Sequence, residues 1–292
     1  EALESYLSAV GERVTPESIG EFVANLFADV RAKTSQYIHE YLVASESWSA
    51  NGALPPIGST QPWAGGAASP SAFCVLAPNP SIMTLDGTNT WLLGEAGGGQ
   101  RIIVDPGPAD PAHVTAILAE LERQDASAAL ILLTHGHMDH AGGAAELAEA
   151  LGNVPIEGPQ LADAFLLEGV AAQGAKYGVE CRPVTPNRWL EEGDQVDIAG
   201  IAFDVLHCPG HTPGHVVFVN AAMGIAFVGD VLFQGSIGRT DFPYGDTAAL
   251  LNAIRTKLFP LGDHIQFLCG HGPASSFGAE RQGNPFVGDN AS

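Results

Sequence analysis

Residues 129–143 read ALILLTHGHMDHAGG. The apolar run at 129–133 makes a short buried strand, and AGGAAELAEALG after it reads as a helix. His135, His137, Asp139 and His140 therefore sit on a strand-to-helix turn, the place where α/β proteins hold ligands. A lone loop histidine is ordinarily a surface group. Three of them with an aspartate, in six positions after a buried strand, instead offer the imidazole and carboxylate donors that bind Zn(II), Fe(II) and Mn(II).

The rest of the chain supplies what such a site still lacks. His211 lies in HCPGHTPGH (207–215), Asp230 ends GIAFVGD (224–230), and His271 stands in FLCGHGP (267–273), each at the end of a strand with Gly beside it. Five histidines and two aspartates converge in this way, a number that suits two metal ions. Of the other histidines, His39, His113 and His264 are expected on the surface, and His207 and His215 are expected to hydrogen-bond within the loops.

Around these motifs the chain divides into three zones. In residues 1–44, Thr15 and Pro16 make an N-cap and N1 pair, and Ile19, Phe22, Val23, Leu26, Phe27 and Val30 recur at helical spacing, which predicts a helical N-terminal extension with one apolar face. A face of that kind can cover a second copy of the chain, so a homo-oligomer through it is open. Residues 45–72 are rich in Ser, Gly, Pro and Ala and read as a linker. From 73 to 292, β-rich runs (TNTWLLG, RIIVD, ALILLT, IAFDVLHC, HVVFVN, IAFVGD, IQFLCG) alternate with helical patterns near 111–124, 141–151 and 247–259, which predicts one α/β domain with mixed sheets.

Composition excludes several classes. The chain has 292 residues, is 46% hydrophobic and carries a net charge of −21 without any Lys/Arg cluster, so a nucleic-acid partner is not expected. No run of 18 apolar residues occurs, and acidic residues occupy the stretch where a secretory signal would lie, so neither a membrane span nor a signal peptide is expected. Cys74, Cys181, Cys208 and Cys269 form no CxxC pair, which fits free thiols in a cytoplasmic protein.

The series THxHxDH, GHTPGH, GD and GHGP resembles the signature of the metallo-β-lactamase fold superfamily. Within it, residues 130–288 are similar to short single-domain glyoxalase II (hydroxyacylglutathione hydrolase-like) proteins, most specifically in GDVLFQGSIGRTDFPYGD and GHGPASSFGAERQGNPF; residues 75–110 look more like the β-lactamase-like 2 branch. The resemblance implies an αββα sandwich. It also implies two divalent metal ions, zinc first with Fe or Mn as alternatives: His135, His137 and His211 would hold one, Asp139, His140 and His271 the other, with Asp230 bridging. Asp105, in VDPG, would orient the HxHxDH loop from behind.

The implied activity is that of a hydrolase acting on acyl thioesters such as S-lactoylglutathione through a metal-bridging hydroxide, with Asp139 orienting the nucleophile. Arg239 in GRTDF is a candidate for a substrate carboxylate, although an ion pair with Asp241 is equally open. Only 40 residues separate Asp230 from His271, which leaves no room for the inserted domain of RNA-cleaving relatives. The chain also ends about 20 residues after His271, whereas longer glyoxalase II enzymes continue into a helical domain that grips glutathione, so another thiol carrier is open. Two alternatives stand beside the hydrolase. One is a mononuclear Fe(II) persulfide dioxygenase using His135, His211 and Asp230; the other is a non-catalytic, metal-stabilised binding module.

Overall fold

Strand residues alternate between two apolar faces, and that period of two sets the layers. The computed structural model describes residues 62–94, 99–176, 178–198 and 200–291. The expected helical extension and most of the expected linker lie outside the described residues. One six-stranded sheet runs in sequence order: β1 (Gly66–Ser69), β2 (Ala72–Leu76), β3 (Asn89–Leu93), β4 (Gly99–Val104), β5 (Ala126–Leu132) and β6 (Ile156–Glu157). Its neighbours are antiparallel as far as β4 and parallel from β4 to β6. The second contains β7 (Gln195–Ile198), β8 (Ile201–His207), β9 (Val216–Asn220) and β10 (Ile225–Gly229). After a separate hairpin, β11 (Leu232–Phe233) and β12 (Ser236–Ile237), it is completed by β13 (Gln266–Cys269) and β14 (Ser275–Ser276). Its spatial order is β14-β13-β10-β9-β8-β7, with β10 and β13 parallel.

Trp91, Leu93, Ile102, Val104, Leu130 and Leu132 of the first sheet meet Phe203, Val205, Phe218, Phe227 and Leu268 of the second in one buried layer. The intervening Leu92, Ile103 and Ile131 turn the other way, onto Ile117 and Leu121 of helix α1 (Pro111–Arg123) and Leu147 beyond it. On the far side Val217, Val219, Ala226, Val228 and Phe267 pack against Leu250, Ile254 and Phe277. The result is the expected αββα sandwich, a helical layer on each outer face of two sheets. Helix α1 starts at Pro111, where the Asp110 carboxylate accepts from the Ala112 amide at 2.7 Å.

Several expectations shift. Gly66–Ser69, placed in the linker by composition, pairs with β2 as an edge strand, and the Trp63 indole donates to Asn89 Oδ1 at 2.8 Å. The end of the linker therefore lies before Gly66. His113 is a correction: it is fully buried, its Nε2 2.8 Å from Thr90 Oγ1, on the same α1 stripe as Ile117 and Leu121. The helix expected over 141–151 is split into α2 (Met138–Ala141) and α3 (Ala144–Ala150). The Gly143 amide between them donates to Gly107 O at 2.9 Å, and a Cβ there would meet Pro108 O at 2.7 Å, so the loop after β4 can press against the ligand turn. The segment expected as one helix over 247–259 is α-helical only over Thr247–Ala253, and widens into a π turn at Ile254–Leu258. No helix among the described residues is long and apolar enough to cross a membrane.

Candidate metal centre

Parallel pairing brings strand C-termini to one edge. β4 and β5 end at Asp105 and at Thr134–His135, and β10 and β13 end at Asp230 and at Gly270–His271. The two sheets are joined there: the Asn89 amide donates to Gly270 O at 2.8 Å, and its side chain donates to Cys269 O at 3.0 Å and Gly272 O at 2.8 Å. His211 arrives on the loop between β8 and β9. Asp163, buried, accepts from Gly136 N, Thr212 Oγ1 and Gly214 N at 2.9, 2.8 and 2.6 Å, which ties this loop to the HGH turn.

All seven expected ligand residues come together. The donor atoms of His135, His137 and His211 form one group and those of Asp139, His140 and His271 another, each within 4.8 Å of its own members. Nδ1 of His137 lies 3.1 Å from His135 Nε2 and 3.0 Å from His211 Nε2. His140 Nε2 and His271 Nε2 face one another at 3.2 Å, and Asp139 Oδ2 stands 3.4 and 3.3 Å from them. The Asp230 carboxylate lies between the groups, 3.5 Å from His211 Nε2, 3.5 Å from His140 Nε2 and 3.4 Å from His271 Nε2. A Cβ on Gly270 would stand 2.2 Å from Asp230 Oδ1 and 2.5 Å from His140 Cε1, so only glycine leaves room for this approach.

The outward nitrogens fix which atoms face inward. Nδ1 of His140 meets Asp105 Oδ2 at 3.1 Å, Nδ1 of His211 meets Arg239 O at 2.7 Å, and Nδ1 of His271 meets Gly87 O at 3.1 Å. Those oxygens can only accept, so each Nδ1 carries hydrogen and each neutral ring turns an Nε2 lone pair into the site. Thr134 Oγ1 donates to Asp105 Oδ2 at 2.7 Å and accepts from His135 Nδ1 at 3.0 Å, with the same consequence for His135. Asp105 also falls within range of His135 and His140, but its oxygens are engaged by the Thr134 amide, the Thr134 hydroxyl and His140 Nδ1, so it sits behind the site. The Nε2 atoms of His140 and His271, 3.2 Å apart, are positioned to share a proton or a metal cation, and Asp230 Oδ1 is buried beside them without a hydrogen-bond partner. The donor set fits two divalent cations.

Electrostatics divides the site in two. Burial, reinforced by neighbouring imidazoles, pushes His135 well below its ordinary range and His137 down to about 3; burial also lowers His211. These rings stay neutral, the form that ligates metal. Burial opposes charge on His140 and His271 too, but the Asp230 and Asp139 carboxylates overcome it, raising His140 well above its usual value and His271 to about 10. Asp139 and Asp230 are correspondingly held far below the carboxylate range, against burial, by His140 and His271. The acidic half draws in positive charge.

Above the centre opens a cavity of about 650 Å³, reached by His137, Asp139, His211, Asp230 and His271. Arg239 lines it, but its guanidinium forms a two-point pair with Asp241 at 2.8 and 2.7 Å and lies 5.0 Å over the Phe242 ring. The ion pair left open by the sequence is thus the arrangement observed. His207 Nε2 lies 2.8 Å from Pro213 O. His215 stacks on His135 and accepts from the Asp230 amide at 3.1 Å, so both act within the loops as expected. Tyr244 was not anticipated: its hydroxyl is 2.9 Å from His137 Nε2, and its ring stacks on Phe242. Nothing in DFPYGD marks this contact across 107 positions, and Asp163 in LADAF is equally unmarked.

Comparison with known proteins agrees with this geometry. The profile of the metallo-beta-lactamase superfamily matches residues 83–271. A Haemophilus influenzae protein named hydroxyacylglutathione hydrolase GloC is 43% identical over 187 residues, 63% of this chain and 86% of that protein. Among solved structures, the BLEG-1 B3 metallo-beta-lactamase is 31% identical with a TM-score of 0.63, covering 73% of this chain and 99% of its own. TTHA1623, solved in a di-iron-bound form, is 35% identical with a TM-score of 0.61, covering 74% of this chain and 100% of its own.

Proposed function

The chain belongs to the metallo-beta-lactamase superfamily, and from that premise we propose that it is a dinuclear metal-dependent hydrolase of acyl thioesters, with S-lactoylglutathione as the reference substrate. The observation that carries the reading is the Asp230 carboxylate, placed between one group of three imidazoles and a second group of two imidazoles and a carboxylate. The similarity to a protein named hydroxyacylglutathione hydrolase supports the thioester as substrate class.

His135, His137 and His211 would hold one ion, Asp139, His140 and His271 the other, and Asp230 both. Two such ions, when bound, supply Lewis acidity, bringing the pKa of a held water from near 16 to roughly 7 and polarising the substrate carbonyl. The chain's own residues do the positioning. Asp105 and Thr134 hold the rings of His140 and His135 in the tautomer that ligates, and Tyr244 fixes the outer edge of His137. Asp139 is more open to the cavity than Asp230, with its Oδ2 3.4 Å from Thr88 Oγ1, and would combine metal binding with orienting the attacking water. A thiolate leaves without strong acid assistance.

A mononuclear dioxygenase using His135, His211 and Asp230 would leave His137, Asp139, His140 and His271 without a role as ligands, which favours the hydrolase. The deciding experiment is anaerobic. The protein is expected to release thiol from S-lactoylglutathione without oxygen, to lose that activity on chelation and to regain it with Zn(II), Fe(II) or Mn(II). Inertness toward thioesters together with oxygen uptake on glutathione persulfide would overturn the reading.

A further inference from the structure

We infer that the cavity binds an apolar substituent of the thioester, an alkyl or aryl group, against a preformed rim made by Ile82, Met83 and Leu85; the inference deepens the thioesterase reading and rests on it. The loop between β2 and β3 is built with its polar groups turned inward. Ser81 N donates to Leu85 O at 3.1 Å, and Ser81 Oγ accepts from the amides of Met83 and Thr84, both at 3.1 Å. The Asn79 side chain donates to Thr88 Oγ1 at 3.0 Å and accepts from Thr88 N at 2.9 Å. A loop so cross-braced cannot easily fold its apolar side chains away, and they point out: Ile82 is 98% exposed, Leu85 55% and Met83 52%. All three line the cavity.

Exposed apolar side chains grouped at the mouth of a site mark a binding surface, whereas scattered ones mean nothing. Leu85 strengthens the point. Its φ of 54° is a left-handed backbone that a branched side chain disfavours, and its Cδ1 lies 3.3 Å from where a Cβ on Gly272, next to His271, would be. The braced loop thus holds an apolar group beside the candidate metal centre in spite of that strain. Phe233, Ile237 and Phe242 line the same cavity. Charge adds little to the rim: the guanidinium in this lining, Arg239, is already matched by Asp241, and the chain carries a net charge of −21. A tripeptide bearing two carboxylates would have to displace Asp241 to be gripped there.

The test uses the full chain with its metals and two series of thioesters. One lengthens the acyl group from acetyl to octanoyl on N-acetylcysteamine; the other lengthens an alkyl thiol on a constant acetyl group. In at least one series kcat/KM is expected to rise about threefold to fourfold per methylene, as for a buried CH2 group, and the responding series identifies which side of the thioester meets the rim. Ile82→Asn and Met83→Asn are expected to flatten that slope. A binding readout runs in parallel: S-hexyl N-acetylcysteamine, a thioether that cannot be hydrolysed, is expected to bind at least tenfold more tightly than its S-methyl counterpart by calorimetry. Length-dependent binding without any thioester hydrolysis would sink the thioesterase reading and leave the rim standing. Flat slopes in both series with equal affinities, or a glutathione preference that vanishes in Arg239→Gln, would overturn the rim.

Discussion

Asp230→Asn is expected to lose at least one of the two metal ions proposed for the centre and to hydrolyse thioesters at least about a hundredfold more slowly, a barrier increase of ~2.7 kcal/mol or more. The carboxylate stands within 3.5 Å of the inward nitrogens of His140, His211 and His271, which belong to both ligand groups. An amide of the same shape removes the charge that balances two cations and offers only one good acceptor where two are required. It also fits the space left by Gly270, so the fold should survive. Metal analysis on the purified variant, with a thermal melt to confirm folding, checks the expectation. Full metal content and full rate would show that Asp230 does not stand between two ions.

The second large effect is expected behind the site. Asp105→Asn should weaken metal binding by about tenfold to a hundredfold, the usual consequence of losing a partner that orients a ligand. Asp105 accepts from Thr134 N at 2.8 Å, Thr134 Oγ1 at 2.7 Å and His140 Nδ1 at 3.1 Å. Whichever way the new amide turns, its NH2 faces at least one of those donors, and a buried mismatch of this kind costs about 1–3 kcal/mol of stability as well. The backbone is not the cause, because φ at Asp105 is 52° and Asn accepts that conformation readily. Competition with a chromophoric chelator measures the affinity, and unchanged affinity would reduce Asp105 to a purely structural residue.

The candidate ligand residues were legible because the HGHMDH cluster, Asp230 and His271 follow buried apolar runs, whereas His211 was marked only by the GHTPGH motif. Once strands of period two were recognised, their C-terminal residues had to meet at one edge, and His135, Asp230 and His271 are those residues. The burial of His113 has a signal in the sequence: it falls on the i, i+4, i+8 stripe with Ile117 and Leu121, so the helix buries it and Thr90 pairs with its Nε2. Gly66–Ser69 carried almost none. An edge strand held by backbone pairing with β2 has no hydrophobic pattern to read, and Gly and Ala there look like linker. Tyr244 and Asp163 reach the ligand loops only through tertiary contacts, and Leu85 shows its strained backbone only in the fold.

Titration of the metal-free protein with Co(II), followed by calorimetry and d–d absorption, distinguishes a centre for two metals from a centre for one. Saturation is expected at about two equivalents per chain, falling to about one in His271→Ala, because the imidazole and carboxylate groups form two sets around one shared aspartate. Saturation at a single equivalent, unchanged in His271→Ala, would contradict a two-metal centre.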